Sequence, residues 1–165
     1  MSEKSTNKYA IVDLEATSAS STACIIQVGI VIMQNGRVID EFASDVNPHQ
    51  KLDNHIVHLT GITDQQLSQA PDFSEIARTI FELIEDCIFV AHNVKFDANL
   101  LAEALFMEGF ELRTPRVDTV ELAQVFYPTL EQYNLSYLSR VLNLDLAQAH
   151  TAIEDARATG KLLLH

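Results

Sequence analysis

The sequence predicts an α/β domain built on a mixed five-stranded sheet flanked by helices. Two patterns carry that reading. The first third of the chain strings together apolar, β-branched runs joined by turn signals, and the remainder alternates helix-period segments with two brief apolar runs. A third observation, 47% hydrophobic residues against 21% charged ones, fits a globular chain with a substantial core. At 165 residues one folded unit is expected, spanning 8–165 behind a loose polar tail over 1–7.

The elements follow in order. Residues 9–14 read as a strand because Ala10-Ile11-Val12 is continuously apolar. Small polar residues from Ser18 to Thr22 make a turn, and Cys24 to Met33 is a long β-branched run that predicts the second strand. Asn35-Gly36 is a strong hairpin dipeptide, so a third, antiparallel strand is expected from Arg37 to about Ser44, with Pro48 ending the meander. Residues 53–68, with Gly61 inside, read as a structured connection containing short helical pieces. Apolar residues at 76, 77, 80, 81 and 84 predict a helix over 74–85. Ile88-Phe89-Val90-Ala91 is a short buried strand, followed by a helix from about Phe96 to Glu108. Arg116-Val117-Asp118 is a brief strand, and Asp118 with Glu121 marks a helix start. Two further helices are expected over 135–142 and 151–164. The two short strands are expected to lie parallel within the sheet.

Charge narrows the function. With 11 basic against 23 acidic residues the formal charge is −12, which argues against a wide basic face gripping long duplex nucleic acid. It leaves room for an enzyme that holds a few nucleotides in a cleft neutralised by bound metal. No apolar run reaches the ~18 residues that span a bilayer, so no membrane partner is expected, and residues 1–7 lack the apolar segment of a signal peptide. Cys24 and Cys87 form neither a disulfide framework nor a metal-type spacing, so reduced thiols in a cytoplasmic protein are expected.

Three stretches carry candidate chemistry. Asp13 and Glu15 stand two apart at the end of an apolar strand, so their side chains share a face. Two like charges at the edge of a core repel and lose solvation unless a cation joins them, and hard oxygen donors suit Mg²⁺ or Mn²⁺. The local alternative is a polar strand end running into a Thr-Ser turn. In His92-Asn93-Val94-Lys95-Phe96-Asp97 a buried strand ends and a carboxylate sits on the first turn of a helix, where ligands of α/β sheets gather. Capping by Asn93 and a helix N-terminus near Asp97 would explain those residues locally. In His150-Thr151-Ala152-Ile153-Glu154-Asp155, Thr151 with Glu154 matches a capping box, His150 precedes the cap and Asp155 lies on the first turn. A loop histidine and a solvated helix charge are the alternatives, but Ala156, Ala158 and Gly160 suit a helix packed closely on the sheet.

Together, Asp13-Leu14-Glu15, the segment 92–97 and the segment 150–155 resemble the three motifs of the DEDDh (DnaQ-like) 3′→5′ exonucleases, the family of the proofreading subunit of bacterial DNA polymerase III. The likeness runs from about Tyr9 to Leu164. Residues 87–128 are most similar to the exonuclease domain at the N-terminus of Gram-positive, damage-inducible, helicase-like proteins, so attached helicase or polymerase domains are expected partners. The resemblance implies a ribonuclease-H-like fold, two Mg²⁺ or Mn²⁺ ions held by Asp13, Glu15, Asp97 and Asp155, and His150 as general base. Two ions about 3.5–4 Å apart can activate a water and stabilise a leaving 3′-oxygen, and four carboxylates would balance their charge. Histidine, with an ordinary pKa of about 6.5, suits a water proton near neutrality.

The resemblance also points to the backbone around Ala16 and Thr17 for a terminal 3′-hydroxyl, and to His58 and Thr60 within residues 58–63 for wedging or stacking on the last base. Asn93 and Phe96 would shape the pocket floor, with a core role preferred over base stacking for Phe96. Two positions depart from the family pattern: Ser18 stands where many members have glycine, and Gln27 where many have glutamate. The expected activity is release of nucleoside 5′-monophosphates from a nucleic-acid 3′ end, single-stranded DNA being favoured. An exoribonuclease of the same family, and a non-catalytic nucleic-acid- or protein-binding module of a larger assembly, stay open.

Overall fold

A computed structural model describes residues 7–18, 22–142 and 151–164. Three strands, β1 (Lys8–Ala16), β2 (Ile25–Gln34) and β3 (Arg37–Asp45), form the antiparallel meander. Strand β4 (Ile88–Ala91) joins β1 in parallel and β5 (Arg116–Asp118) joins β4 in parallel, giving the order β3-β2-β1-β4-β5. The mixed five-stranded sheet and its flanking helices are therefore as expected. Asn35 (φ 55°) and Gly36 (φ 75°) both adopt the left-handed conformation, as a two-residue hairpin turn requires.

The helices are α1 (Asn54–Thr60), α2 (Asp64–Ser68), α3 (Phe73–Ile84), α4 (Val94–Met107), α5 (Thr119–Phe126), α6 (Leu135–Val141) and α7 (Ala152–Leu164). The connection over 53–68 resolves into α1 and α2, broken by Gly61 at φ 74°. Two bounds and one cap beside the site differ from the sequence expectation. Strand β1 continues past Leu14 because Glu15 and Ala16 still pair with Gln27 and Ile25. Helix α4 begins at Val94 rather than Phe96. The capping box at Thr151 is irregular: the Thr151 hydroxyl donates to the Glu154 carboxylate at 2.8 Å, in place of the backbone N–H that a regular box would offer. The tail over 1–7 lies, apart from Asn7, outside the described residues. Cys87 is buried and Cys24 half-buried, and both are free thiols. No helix among the described residues is long and apolar enough to cross a membrane.

Strand alternation divides β1 between two layers. Ala10, Val12 and Leu14 face α3 and α4, packing with Ile80, Ile84, Leu101 and Leu105. Ile11 faces the other way, against Val31, Met33, Val90 and Ala156 of α7. Asp13 and Glu15 share that second face by register. Helix α7 can approach because Gly29 of β2, the partner of Asp13 across the ladder, has no side chain. A Cβ there would stand 2.5 Å from the Ala152 carbonyl oxygen and closer still to the Ile153 nitrogen, both backbone atoms of the first turn of α7. Gly29→Ala should therefore push that turn off the sheet and destabilise the domain by about 1–3 kcal/mol, the usual range for overpacking. The denaturant midpoint reads this; an unchanged midpoint would mean that α7 sits loosely.

Candidate active site

The site forms at the C-terminal ends of the parallel strands β1 and β4. Strand β4 stops at Ala91, one place beyond the Ile11–Val90 pair, so the stretch of β1 that carries Asp13 and Glu15 runs on past it on the side where α4 starts. Asp13 and Glu15 come from β1, Asp97 from the first turn of α4 and Asp155 from the first turn of α7. One oxygen from each of Asp13, Glu15 and Asp155 lies within 4.8 Å of the other two. Asp97 is outside that spacing but is 5% exposed, and its charge acts on Asp13. Three of the four sequence-derived carboxylates thus meet, from β1 and α7 at opposite ends of the chain, with Asp97 of α4 outside that spacing.

Burial and like charge both oppose ionisation of Asp13, Glu15 and Asp97. Burial raises the pKa of Asp13 well above the usual carboxylate range, and the charges of Asp97, Asp155 and Glu15 raise it further. Glu15 is pushed up to about 7 by burial and then by Asp155. Asp97 is raised by burial, then by Glu15 and Asp118. The Oδ2 atom of Asp13 is shut away from solvent with no hydrogen-bond partner among the described residues. Buried polar atoms are normally paired, so an orphaned oxygen on a carboxylate crowded by others suits a cation. All the donors are hard oxygens, which fits Mg²⁺ or Mn²⁺.

Raised carboxyl pKa values make a definite pH prediction. The folded state holds protons that the unfolded chain has already lost, so these groups favour folding at low pH and that contribution disappears as pH rises through their folded pKa values. In metal-free protein, Asp13→Asn should melt closest to wild type at low pH, where the Asp13 carboxyl is protonated in the folded and the unfolded chain alike. It should melt progressively higher than wild type as pH rises above the ordinary carboxylate range, because burial and the neighbouring carboxylates keep the folded pKa raised. A thermal-melt series with chelator checks this; a gap that stays constant with pH would contradict it.

A supporting layer holds the floor of the site. Asn93 occupies the N-cap position of α4 in the left-handed conformation (φ 69°), and its side chain makes no cap bond, so capping does not account for it. Its backbone N–H instead donates to Asp118 Oδ1 at 2.9 Å, and the same oxygen accepts from Val120 N–H at 2.9 Å. Asp118 therefore ties the turn before Asp97 to the start of α5. His92 completes the tie through Thr119 Oγ1 at 2.8 Å and the Tyr133 carbonyl at 2.6 Å. Burial lowers its pKa, so it is neutral. A carbonyl can only accept, hence Nε2 carries the hydrogen, and the single hydroxyl hydrogen of Thr119 has two acceptors in reach, Nδ1 at 2.8 Å and the Ala91 carbonyl at 3.3 Å. Asp118 reads in sequence as a helix start, which it is; its second task depends on β4 and β5 being neighbours, which no local pattern states.

The other expected contacts sit around this edge. Ala16 and Thr17 are half-buried just past Glu15. The Thr17 N–H donates to the Cys24 carbonyl at 2.9 Å and its hydroxyl accepts from Cys24 N–H at 3.0 Å, closing the loop and leaving only the hydroxyl hydrogen to offer. Helix α1, carrying exposed His58, packs through Ile56 on Ile26, next to the partner of Ala16. The Thr60 hydroxyl is held locally, donating to the Ile56 carbonyl and accepting from Ile62 N–H. Asn93 is exposed, and Phe96 is half-buried and outside the four core clusters of the described residues. His150 lies outside the described residues.

Comparison with known proteins agrees with the geometry. The exonuclease family RNase_T matches residues 10–163. The 3′-5′ exonuclease DinG of Staphylococcus aureus (strain USA300) is 40% identical over 158 residues, which is 94% of this chain. The chain spans 18% of the length of that relative. Among solved structures, the nuclease domain of 3′hExo, a DEDDh family member bound to rAMP, superposes with a TM-score of 0.80 at 16% identity, covering 96% of this chain and 90% of that one. Exonuclease X in complex with 5′ overhanging duplex DNA gives 0.76 at 20% identity, covering 94% and 89%. The zinc-bound E. coli ExoI–ssDNA complex gives 0.85 at 17% identity, covering 96% and 40%. At such identities the structural likenesses establish the shared fold.

Proposed function

The chain belongs to the RNase_T exonuclease family, with the DEDDh motifs that its sequence resembles, and from that we propose that it is a metal-dependent 3′→5′ exonuclease removing nucleoside 5′-monophosphates from single-stranded DNA. The observation that carries the reading is the meeting of Asp13, Glu15 and Asp155 oxygens within 4.8 Å, with buried Asp97 beside them and neighbouring carboxylates raising Asp13, Glu15 and Asp97 further. Those four residues would hold two divalent ions, which supply an activated water and stabilisation of the leaving oxygen. The chain's own groups do the rest. His150, just ahead of α7 in the sequence, takes the proton of the attacking water. Ala16 and Thr17 meet the terminal sugar, with the Thr17 hydroxyl hydrogen as donor. His58 and Thr60 lie against the last base, and Asn93 and Phe96 border the pocket.

Exposure to DNA and RNA oligomers of equal sequence, labelled at the 5′ end, tests this. In Mn²⁺ the labelled DNA strand should shorten one nucleotide at a time from the unlabelled end, and chelator should stop it. Faster shortening of the RNA strand would make the domain an exoribonuclease. Immediate release of the label would reverse the direction, and no degradation of either strand would leave a binding module of a larger assembly.

A further inference from the structure

Helix α7 must present Asp155 to a cluster rooted in a different element, and one side chain from the sheet reaches its first turn. Gln27 of β2 pairs across the ladder with Glu15. Its Oε1 accepts from the Ala152 backbone N–H at 2.8 Å, filling one of the donors that every helix start leaves unpaired. Its Nε2 donates to Asp45 Oδ1 at 2.8 Å. The other oxygen of Asp45 accepts from Gln66 Nε2 of α2 at 2.8 Å. A continuous line of hydrogen bonds thus runs from α2, through the end of β3 and across β2, to the turn that carries Asp155.

We propose that Gln27 is a positioning residue that hangs the first turn of α7, and with it Asp155, from the sheet, and that Asp45 makes an amide necessary at that position. Asp45 is an acceptor only, so it fixes which end of the Gln27 amide points at it; the oxygen is left to face α7. A glutamate, common at this position in the family the motifs resemble, would oppose the Asp45 carboxylate here and turn away from one of its two partners. The chain therefore carries a matched pair, Gln27 with Asp45. The inference rests on the exonuclease reading for its catalytic consequence, but the hydrogen bond to Ala152 stands apart from it.

The test is a rescue cycle with an independent readout. Gln27→Glu should lower kcat by about tenfold or more while KM barely moves, the usual size of effect for a group that orients a metal ligand. Asp45→Asn alone keeps an oxygen for Gln27 and should stay within about threefold of wild type. In Gln27→Glu with Asp45→Asn, the new amide donates to the new carboxylate, and kcat should recover to near wild type. A Gln27→Glu enzyme as fast as wild type, or a pair no faster than Gln27→Glu alone, overturns the proposal. Hydrogen exchange read by NMR gives the second arm: the Ala152 amide should exchange about tenfold faster in Gln27→Met than in wild type, with β1 amides unchanged. Equal exchange at Ala152 overturns the proposal even if the wild-type protein degrades no nucleic acid, the result that would sink the exonuclease reading itself.

Discussion

Asp155→Asn is expected to abolish nucleotide release while leaving the domain folded. The substitution keeps the size and shape of the side chain, and α7 is held through Ala152, Ala156, Ala158 and Leu162, all buried, together with the close approach at Gly29. What changes is charge and donor capacity at the point where three carboxylate oxygens gather. Metal assistance supplies several kcal/mol of transition-state stabilisation. Losing roughly 3–4 kcal/mol of it corresponds to about 10²–10³ in rate. Single-turnover cleavage of a 5′-labelled strand in Mn²⁺, alongside circular dichroism, checks both halves. Normal cleavage by the variant would remove Asp155 from the metal site; an unfolded variant would make it a structural residue.

His150→Ala is the second large effect. A positioned general base is worth about 10²–10⁴ in rate, so turnover should fall by that much. Mn²⁺ affinity should hold, because the four carboxylates remain. The described anchors of the α7 start, the Gln27 bond to Ala152 and the close approach at Gly29, involve residues that this substitution leaves unchanged. Unchanged turnover would refute the proton-transfer role, and a parallel loss of Mn²⁺ affinity would assign His150 to metal binding instead.

The elements were legible because each carries a short-range signal. The continuous apolar run of β1, the Asn35-Gly36 turn and the helical spacing of residues 76–84 each report their own backbone. The pair Asp13 and Glu15 was also legible, since strand alternation places i and i+2 on one face. Their meeting with Asp155 was legible only through the three motifs taken together, because no local rule relates β1 to α7. The supporting residues were hidden for the same reason. Gln27 reads as a mild departure from a family pattern until its amide is seen between Asp45 and Ala152, and Gly29 as one more strand residue until the α7 backbone is found against it. The left-handed turn at Asn93 looks like a helix cap in sequence; its purpose depends on Asp118, 25 positions later.

If crowded, partly protonated carboxylates await divalent cations, Mn²⁺ titration calorimetry in two buffers of different ionisation enthalpy detects it directly. With Glu15 near 7 and both Asp13 and Asp97 raised, metal-free protein at neutral pH holds protons that a bound cation must displace. Saturable binding with buffer-dependent heat, and therefore proton release, is the expected result, much weakened in Asp13→Asn. Binding without proton release, or equal affinity in Asp13→Asn, would contradict it.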